Sequence, residues 1–315
     1  MNMKRLLLPD GLLEYKANLH CHTTLSDGKL TPQQIKESYL NAGYSVVAFS
    51  DHDKFHTHND LTDARFLAIN SYESEIADRA EPSSHVRKVY HFCCFAKTDG
   101  ADYEEVLPIP DYRDKDAVNA YIQALRDKGF LVQYNHPVWS LQESEDLHGI
   151  KGLWGTEVYN FSATIDGTDG NQGFMYDVLL RDGSRLFCTA TDDNHNAYPF
   201  GHEQCDSFGG YIVIRAERLD YPTIIGALER GDFYASTGPQ IHDLYIEDGK
   251  IKVTCSPARH ILFTDNTRRS KSVNAVGDDF VTYGEFELRD CFTFVRVQIT
   301  GPDGSIAFSN AYWLD

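Results

Sequence analysis

Positive charge is scarce in this chain: 29 Lys and Arg stand against 47 Asp and Glu, for a net charge of -18 at pH 7. A nucleic-acid duplex or an anionic membrane surface requires clustered Lys and Arg, so neither is an expected partner. Long apolar runs are lacking too. Lys4 and Arg5 lead into Leu6-Leu7-Leu8, but Pro9 and Asp10 stop that run far short of a signal or membrane segment, and a cytoplasmic protein is expected. The seven cysteines (21, 93, 94, 188, 205, 255 and 291) are odd in number and widely spaced. They read as reduced, mostly buried thiols rather than a disulfide framework. Internal repeats, low-complexity tracts and polar linkers are also missing.

What is present suits a well-packed globular protein: 315 residues, 42% of them hydrophobic, with Phe and Tyr spread throughout. To about residue 236 strands and helices alternate. Thr31-Pro32-Gln33-Gln34 predicts a helix start with an N-cap, Pro at the first helical position and Gln three residues after the cap; Gly43 closes it. Asp114 caps a second helix that runs to Gly129. Apolar runs at 45–50, 66–72, 89–95, 130–134, 153–159 and 185–190 predict strands. Such alternation implies mostly parallel strands, whose C-terminal ends carry the active site in parallel barrels. From Leu244 onward short strands with turn signals at Asp248-Gly249 and Pro302-Asp303-Gly304 predict a small antiparallel sandwich. The expected domains are therefore 1–239 and 240–315.

Metal-capable side chains stand at successive strand ends: His20, His22, Asp27, His52, Glu73, His91, His136, Asp193 and His195. Residues two apart in a strand point the same way, so His20 and His22 can present two imidazoles to one ion. Singly each has a plain structural explanation: His91 as a core histidine, Glu73 or Asp193 as a cap or a solvated loop residue. Together they are harder to dismiss, and a thiolate-free imidazole and carboxylate set suits zinc, manganese or iron. His56-Thr57-His58 repeats the first pattern in a polar loop and reads as solvated; His242 and His260 read as structural. Asp51, Asp53 and Asp192 are either acceptors for ligand imidazoles or loop caps.

The blocks His20-Cys21-His22-Thr23 to Asp27-Gly28, Asp51-His52-Asp53, a strand with Glu73, a strand with His91, His136-Pro137 and Asp193-Asn194-His195 occur in an order that resembles the PHP superfamily, named for polymerase and histidinol phosphatase domains. The resemblance covers about 17 to 236. It implies an α/β fold, a distorted seven-stranded (β/α)7 barrel, followed by a small all-β sandwich-like domain. It further implies three divalent metal ions (Zn, Mn or Fe): one on His20, His22, Glu73 and Asp193, a second on Glu73, His91 and His136, a third on Asp27, His52 and His195. The sequence departs from the family pattern at Ser71, Asn135 and Asp192, so Glu75 and His85 are held as substitutes for Glu73 and His91.

A carboxylate shared by two cations lets them lower the pKa of a bridging water, making Glu73, Asp193 and His195 the expected catalytic residues through the resulting hydroxide. The expected function is a metal-dependent phosphoesterase acting on a small phosphomonoester or nucleotide-type substrate. The alternatives are a carboxylic or carbamate ester hydrolase, suggested by a looser likeness of 231–239 and the β domain to carbaryl-type ester hydrolases, and a non-catalytic metal-binding module. Asn135, Trp139, Tyr159, Asn160, His202 and Lys54 are candidate substrate contacts. The sequence does not set the oligomeric state.

Overall fold

The computed structural model describes residues 4–78, 88–101, 103 and 107–314; His85 lies outside them. In chain order the elements are β1 (Arg5–Leu6), β2 (Leu13–Asn18), α1 (Pro32–Asn41), β3 (Val46–Phe49), β4 (Leu67–Ala77), β5 (Val89–Ala96), α2 (Lys115–Asp127), β6 (Phe130–Tyr134), α3 (Ser144–Leu147) and β7 (Gly155–Asn160). Then come α4 (Phe161–Ile165), α5 (Gly173–Arg181), β8 (Phe187–Thr191), β9 (Tyr211–Ala216), α6 (Tyr221–Arg230) and β10 (Phe233–Ser236). The remainder is strand: β11 (Ile241–Glu247), β12 (Lys250–Ala258), β13 (His260–Asp265), β14 (Lys271–Asn274), β15 (Val281–Glu287), β16 (Phe294–Thr300), β17 (Ile306–Ser309) and β18 (Tyr312–Trp313).

Local chemistry explains the helix starts. Thr31 accepts from the Gln34 amide while the Gln34 side chain accepts from the Thr31 amide, satisfying two donors that a helix start leaves unpaired. Asp114 accepts from the Ala117 amide in the same way. Along α2 Val118, Tyr121, Ile122 and Leu125 recur at helical spacing and are buried against the sheet core.

One 14-stranded sheet runs in the order β14-β13-β16-β17-β10-β9-β2-β3-β4-β5-β6-β7-β8 with β18 beside β16. The fold is mixed α/β, with six α-helices among the described residues. The expectation of mostly parallel strands is corrected here. β2-β3-β4 and β6-β7-β8 are parallel, but β4-β5-β6 and β2-β9-β10 are antiparallel. The ladder from β9 to β8 is an open path rather than a closed ring among the described residues. β5 is buried on both faces, and a strand buried on both faces reads as a continuous apolar run whichever way its neighbours point. β4 also runs past the expected end at Tyr72 to Ala77, so Glu73 lies within the strand.

Beyond β10 a second sheet, β1-β11-β12-β15, faces β13, β16 and β17 across a core that includes Ile251, Val253, Ile261, Phe263, Val297 and Ile299. Arg5–Leu6 from the chain start pairs with β11, and β17 pairs with β10, so ladders join the C-terminal strands to the rest. A buried ion pair ties the parts as well: Arg296 of β16 donates from Nε and Nη2 to both oxygens of Asp177 of α5, at 2.7 and 2.9 Å. Asp177→Ala would leave the guanidinium buried without its counter-charge. Urea unfolding of that variant is expected to register a loss of about 3–5 kcal/mol, and a loss within 1 kcal/mol of zero would mean the pair contributes no net cohesion.

Candidate metal centre

At the end of β2 the chain leaves the ladder, yet it stays ordered because Asn18, fully buried, accepts from the His20 and Asp192 amides and donates to the His20 carbonyl. The His22 amide donates to Asn194 O, and the Asp193 amide to His20 O. This latch sets 20–22 against 192–194 and turns His20 and His22 the same way, with Cys21 packed into the core behind them. Gly28 is required in the following loop, since a Cβ there would come within 2.5 Å of the His22 carbonyl. Asp51 holds the same loop by accepting from Thr23 N, Thr23 Oγ1 and Ser26 Oγ.

Glu73 is the hub. Its Oε1 lies 3.3 Å from His20 Nε2, 3.1 Å from His91 Nδ1 and 3.4 Å from His136 Nε2. Its Oε2 lies 3.4 Å from His22 Nε2 and 3.1 Å from His52 Nδ1. Asp193 Oδ1 is 3.1 Å from both His20 Nε2 and His22 Nε2. Asp27, on the exposed loop, places Oδ2 3.7 Å from His52 Nε2 and 3.5 Å from His195 Nε2. All nine residues singled out in the sequence thus converge. Their donor atoms form four groups: His20, His22 and Glu73; His20, His136 and Asp193; Glu73, His91 and His136; and His22, Asp27, His52 and His195. The last group contains His22, which the family resemblance assigns elsewhere.

Three buried atoms of this centre have no hydrogen-bond partner: His22 Nδ1, His91 Nδ1 and Asp193 Oδ1. Each is near oppositely polar atoms, but not aligned with them. Orphaned buried polar atoms cost about 1–3 kcal/mol apiece, whereas lone pairs converging on shared points are what cations use. The residues therefore fit divalent ions. The donors are imidazoles and carboxylates without thiolate.

A second layer fixes which nitrogen of each ring faces inward. Glu157 Oε1 is 2.7 Å from His20 Nδ1, Ser140 Oγ is 3.0 Å from His136 Nδ1, and the Asp193 carbonyl is 3.0 Å from His195 Nδ1. His91 is reversed, with Nε2 toward Glu75 at 3.4 Å. Glu157 also accepts from Thr191 Oγ1, the His136 amide and Asn160. Its anchoring of two candidate ligands was not read from the sequence, where it was only a polar residue in an apolar strand; that oddity was the available signal. Glu75 therefore supports His91 rather than replacing Glu73.

Of the two readings open for Asp51, Asp53 and Asp192, the structure shows the loop cap. Asp51 caps a loop; Asp53 accepts from the Glu75 amide; and Asp192 accepts from the amides of Phe208, Gly209 and Gly210 and from Tyr39 Oη. Among the described residues none of the three hydrogen-bonds to a centre imidazole. Asn135 donates to Glu73 Oε1 at 2.7 Å, and Asn160 to Asp193 Oδ2 at 3.1 Å, so both orient carboxylates. His58 is not solvated but buried against Phe49. Lys54 donates to the Leu25 carbonyl, and His202 stacks on Tyr198. Of the candidate substrate contacts only Trp139 lines the cavity of about 320 Å³ that opens onto the centre, with Ser162, Asp166 and Asp206 beside it.

No protein-family model matches this sequence, and no curated protein is significantly similar to it. Solved structures similar to it include three proteins. The first is a two-domain protein containing a predicted PHP-like metal-dependent phosphoesterase from Bacteroides vulgatus: 16% identity over 100% of this chain and 99% of that one, TM-score 0.47. The second is a candidate metal-dependent phosphoesterase from Bifidobacterium adolescentis: 17% identity over 59% and 90%, TM-score 0.42. The third is an amidohydrolase from Chromobacterium violaceum with bound sulfate and no metal: 14% identity over 57% and 87%, TM-score 0.39.

Burial alone would keep the imidazoles neutral, and for His22 it does, lowering the pKa to about 4. At His91 burial is outweighed by Glu73 and Glu75, which raise the pKa to about 10; at His195 Asp27 and Asp193 raise it to about 9. At His20 too burial is outweighed, by Asp193, Glu73 and Glu157, which raise the pKa well above its ordinary value; cations must displace the protons these rings hold at neutral pH. Loading stripped protein with Mn or Zn at about pH 7 in weak buffer is expected to release more than one proton per chain, with affinity rising toward pH 9. Uptake without proton release would contradict these ligands. Glu157→Gln, removing the charge behind His20, is expected to weaken metal binding about 10- to 100-fold in a competition titration.

Proposed function

We propose that this protein is a metal-dependent phosphoesterase that hydrolyses a small phosphomonoester. The observation that carries the reading is one buried carboxylate, Glu73, with five imidazoles within 3.1 to 3.4 Å of its two oxygens. On this reading His20, His22, Glu73 and Asp193 hold one cation, Glu73, His91 and His136 a second, and Asp27, His52 and His195 a third, with His22 Nδ1 turned toward the last. Divalent ions there supply Lewis acidity, lowering the pKa of water from 15.7 toward about 7 and neutralising charge that develops on a phosphoryl group.

The chain's own groups prepare that chemistry. Glu157 keeps a proton on His20 Nδ1 and Ser140 engages His136 Nδ1, so each ring turns Nε2 to the centre. Asn135 and Asn160 fix the rotations of Glu73 and Asp193 through one amide hydrogen bond each. Asp193 sits at φ 55°, a left-handed conformation that a loop residue adopts only when its surroundings hold it there, here the amide bond to the His20 carbonyl. Preorganisation of this kind removes reorganisation at the moment of reaction. We assign residues 1–239, with β2 to β8 as a PHP-type barrel, to the hydrolase unit and 240–315 to the β unit.

p-Nitrophenyl phosphate and p-nitrophenyl acetate with added Mn or Zn separate the possibilities. Turnover of the phosphate ester is expected; turnover of the acetate alone would mean carbonyl chemistry, and of neither a binding module. Glu73→Ala is expected to lower kcat at least about 10³-fold and to remove more than one ion per chain by elemental analysis. Full metal occupancy in that variant would refute the shared-ligand role.

A further inference from the structure

We infer that the phosphate is esterified to an alcohol bearing a flat aromatic ring next to the ester oxygen, and that Trp139 selects this alcohol by packing against the ring. The inference rests on the phosphoesterase reading and names the substrate class of that same site. Trp139 is, among the described residues, the one large apolar side chain in the wall of the cavity that opens onto the centre. Its indole stands nearly perpendicular to the His136 ring, at 77° and 5.0 Å between centroids, and lies 6.0 Å from the His91 ring. Those two imidazoles and Glu73 form one of the candidate metal groups. A phosphoryl group held there sends its alcohol out through a cavity walled by the indole. Ser162, Ala163 and Ala197 are small members of the same wall and leave a ring room to enter.

The indole is held in place by its loop. That loop passes through left-handed backbone at His136 and Leu141, φ 25° and 58°, conformations that persist only where the surroundings fix them. Here the Ser140, Leu141 and Gln142 amides donate to the carbonyls of His136, Val138 and Pro137, the Val138 amide donates to Gln172 Oε1, and Gln142 Nε2 donates to Val89 O. One residue on, Ser140 engages His136 Nδ1. The same loop thus orients a candidate ligand and keeps the indole 42% exposed beside it. Scattered exposed apolar residues need no function, but a rigidly mounted indole walling a site offers a ring contact area at little entropic cost. An indole face attracts either an aromatic ring or an ammonium group. Divalent ions on the adjoining imidazoles add positive charge at that spot and favour the neutral ring.

The test uses the Mn-loaded full chain and methyl, cyclohexylmethyl and benzyl phosphate, esters of primary alcohols of similar acidity. Methylphosphonate, benzylphosphonate and 2-aminoethylphosphonate are titrated calorimetrically in parallel, and bound Mn is counted by elemental analysis. Both kcat/KM and affinity are expected to be at least about tenfold higher for the benzyl than for the methyl member, with the cyclohexylmethyl ester between them. Trp139→Ala is expected to bring that ratio within about twofold of unity with bound Mn retained, and Trp139→Phe to keep most of it. A wild-type ratio near one, a ratio unchanged in Trp139→Ala, loss of Mn from that variant, or tighter binding of 2-aminoethylphosphonate than of benzylphosphonate would overturn the inference. Preferential binding of benzylphosphonate with none of the esters hydrolysed would instead remove the phosphoesterase reading, and binding of no phosphonate would remove both.

Discussion

A carboxylate at 1% exposure surrounded by imidazoles is the constraint around which the molecule is arranged. Burial disfavours the charged form of Glu73, yet the net effect of His91, His20 and His136 is to hold its pKa well below the usual carboxylate range. Positive charge beside it, as protons on the rings or as bound cations, is what keeps such a buried carboxylate ionised. Protons neutralise the carboxylates but leave His22 Nδ1, His91 Nδ1 and Asp193 Oδ1 without hydrogen-bond geometry. Cations placed between donors answer both the charge and the directions. That preference is the physical basis for regarding the centre as a metal site rather than a cluster of buried salt bridges, which would gain little over apolar packing.

The mixed sheet is what brings Glu73 and His91 together. In the β4–β5 ladder Glu73 lies opposite Cys93 and Glu75 opposite His91, so His91 is the diagonal neighbour of Glu73 on the same face. Parallel strands delivering residues only from their C-terminal ends would not produce this contact. The parallel pairs do the remaining work: β2 and β3 lead into His20, His22 and His52, β6 into His136, and β8 into Asp193 and His195. Two delivery modes, end-on and mid-strand, converge on one point.

This division also explains what the sequence disclosed. His20, His22, His52, His136, Asp193 and His195 follow apolar runs directly, so their position at strand ends was legible from hydrophobic pattern alone. The α1 and α2 caps were legible because capping is local chemistry. Glu73 and His91 were located, but as strand-end groups, because an apolar run does not tell that β4 continues through Glu73-Ser74-Glu75. The role of Glu157 is not legible for a related reason: a buried carboxylate inside a strand acquires meaning only from partners far along the chain, here His20 and Thr191. For Asp192 the loop-cap alternative is the one observed, but the amides it caps, those of 208–210, are announced by no side-chain motif.

The C-terminal strands bear on the centre through a seam. β8, which leads into Asp193 and His195, is the last strand of its ladder and, among the described residues, pairs with β7 alone. An unpaired edge inside a packed protein leaves amides and carbonyls in need of partners. Asn310, 1% exposed, meets that need from β17's end: its Oδ1 accepts from the Cys188 amide of β8, while its Nδ2 donates to the Gly231 and Phe233 carbonyls at β10. The Ala311 amide donates to Tyr176 Oη on α5. One side chain from the chain's last fifteen residues thus joins β8 to β10 where no strand ladder does. Asp193 and His195 are thus held from two sides, by the direct latch of 192–194 to 20–22 and, behind it, by a side chain more than a hundred positions downstream that anchors the strand leading into them.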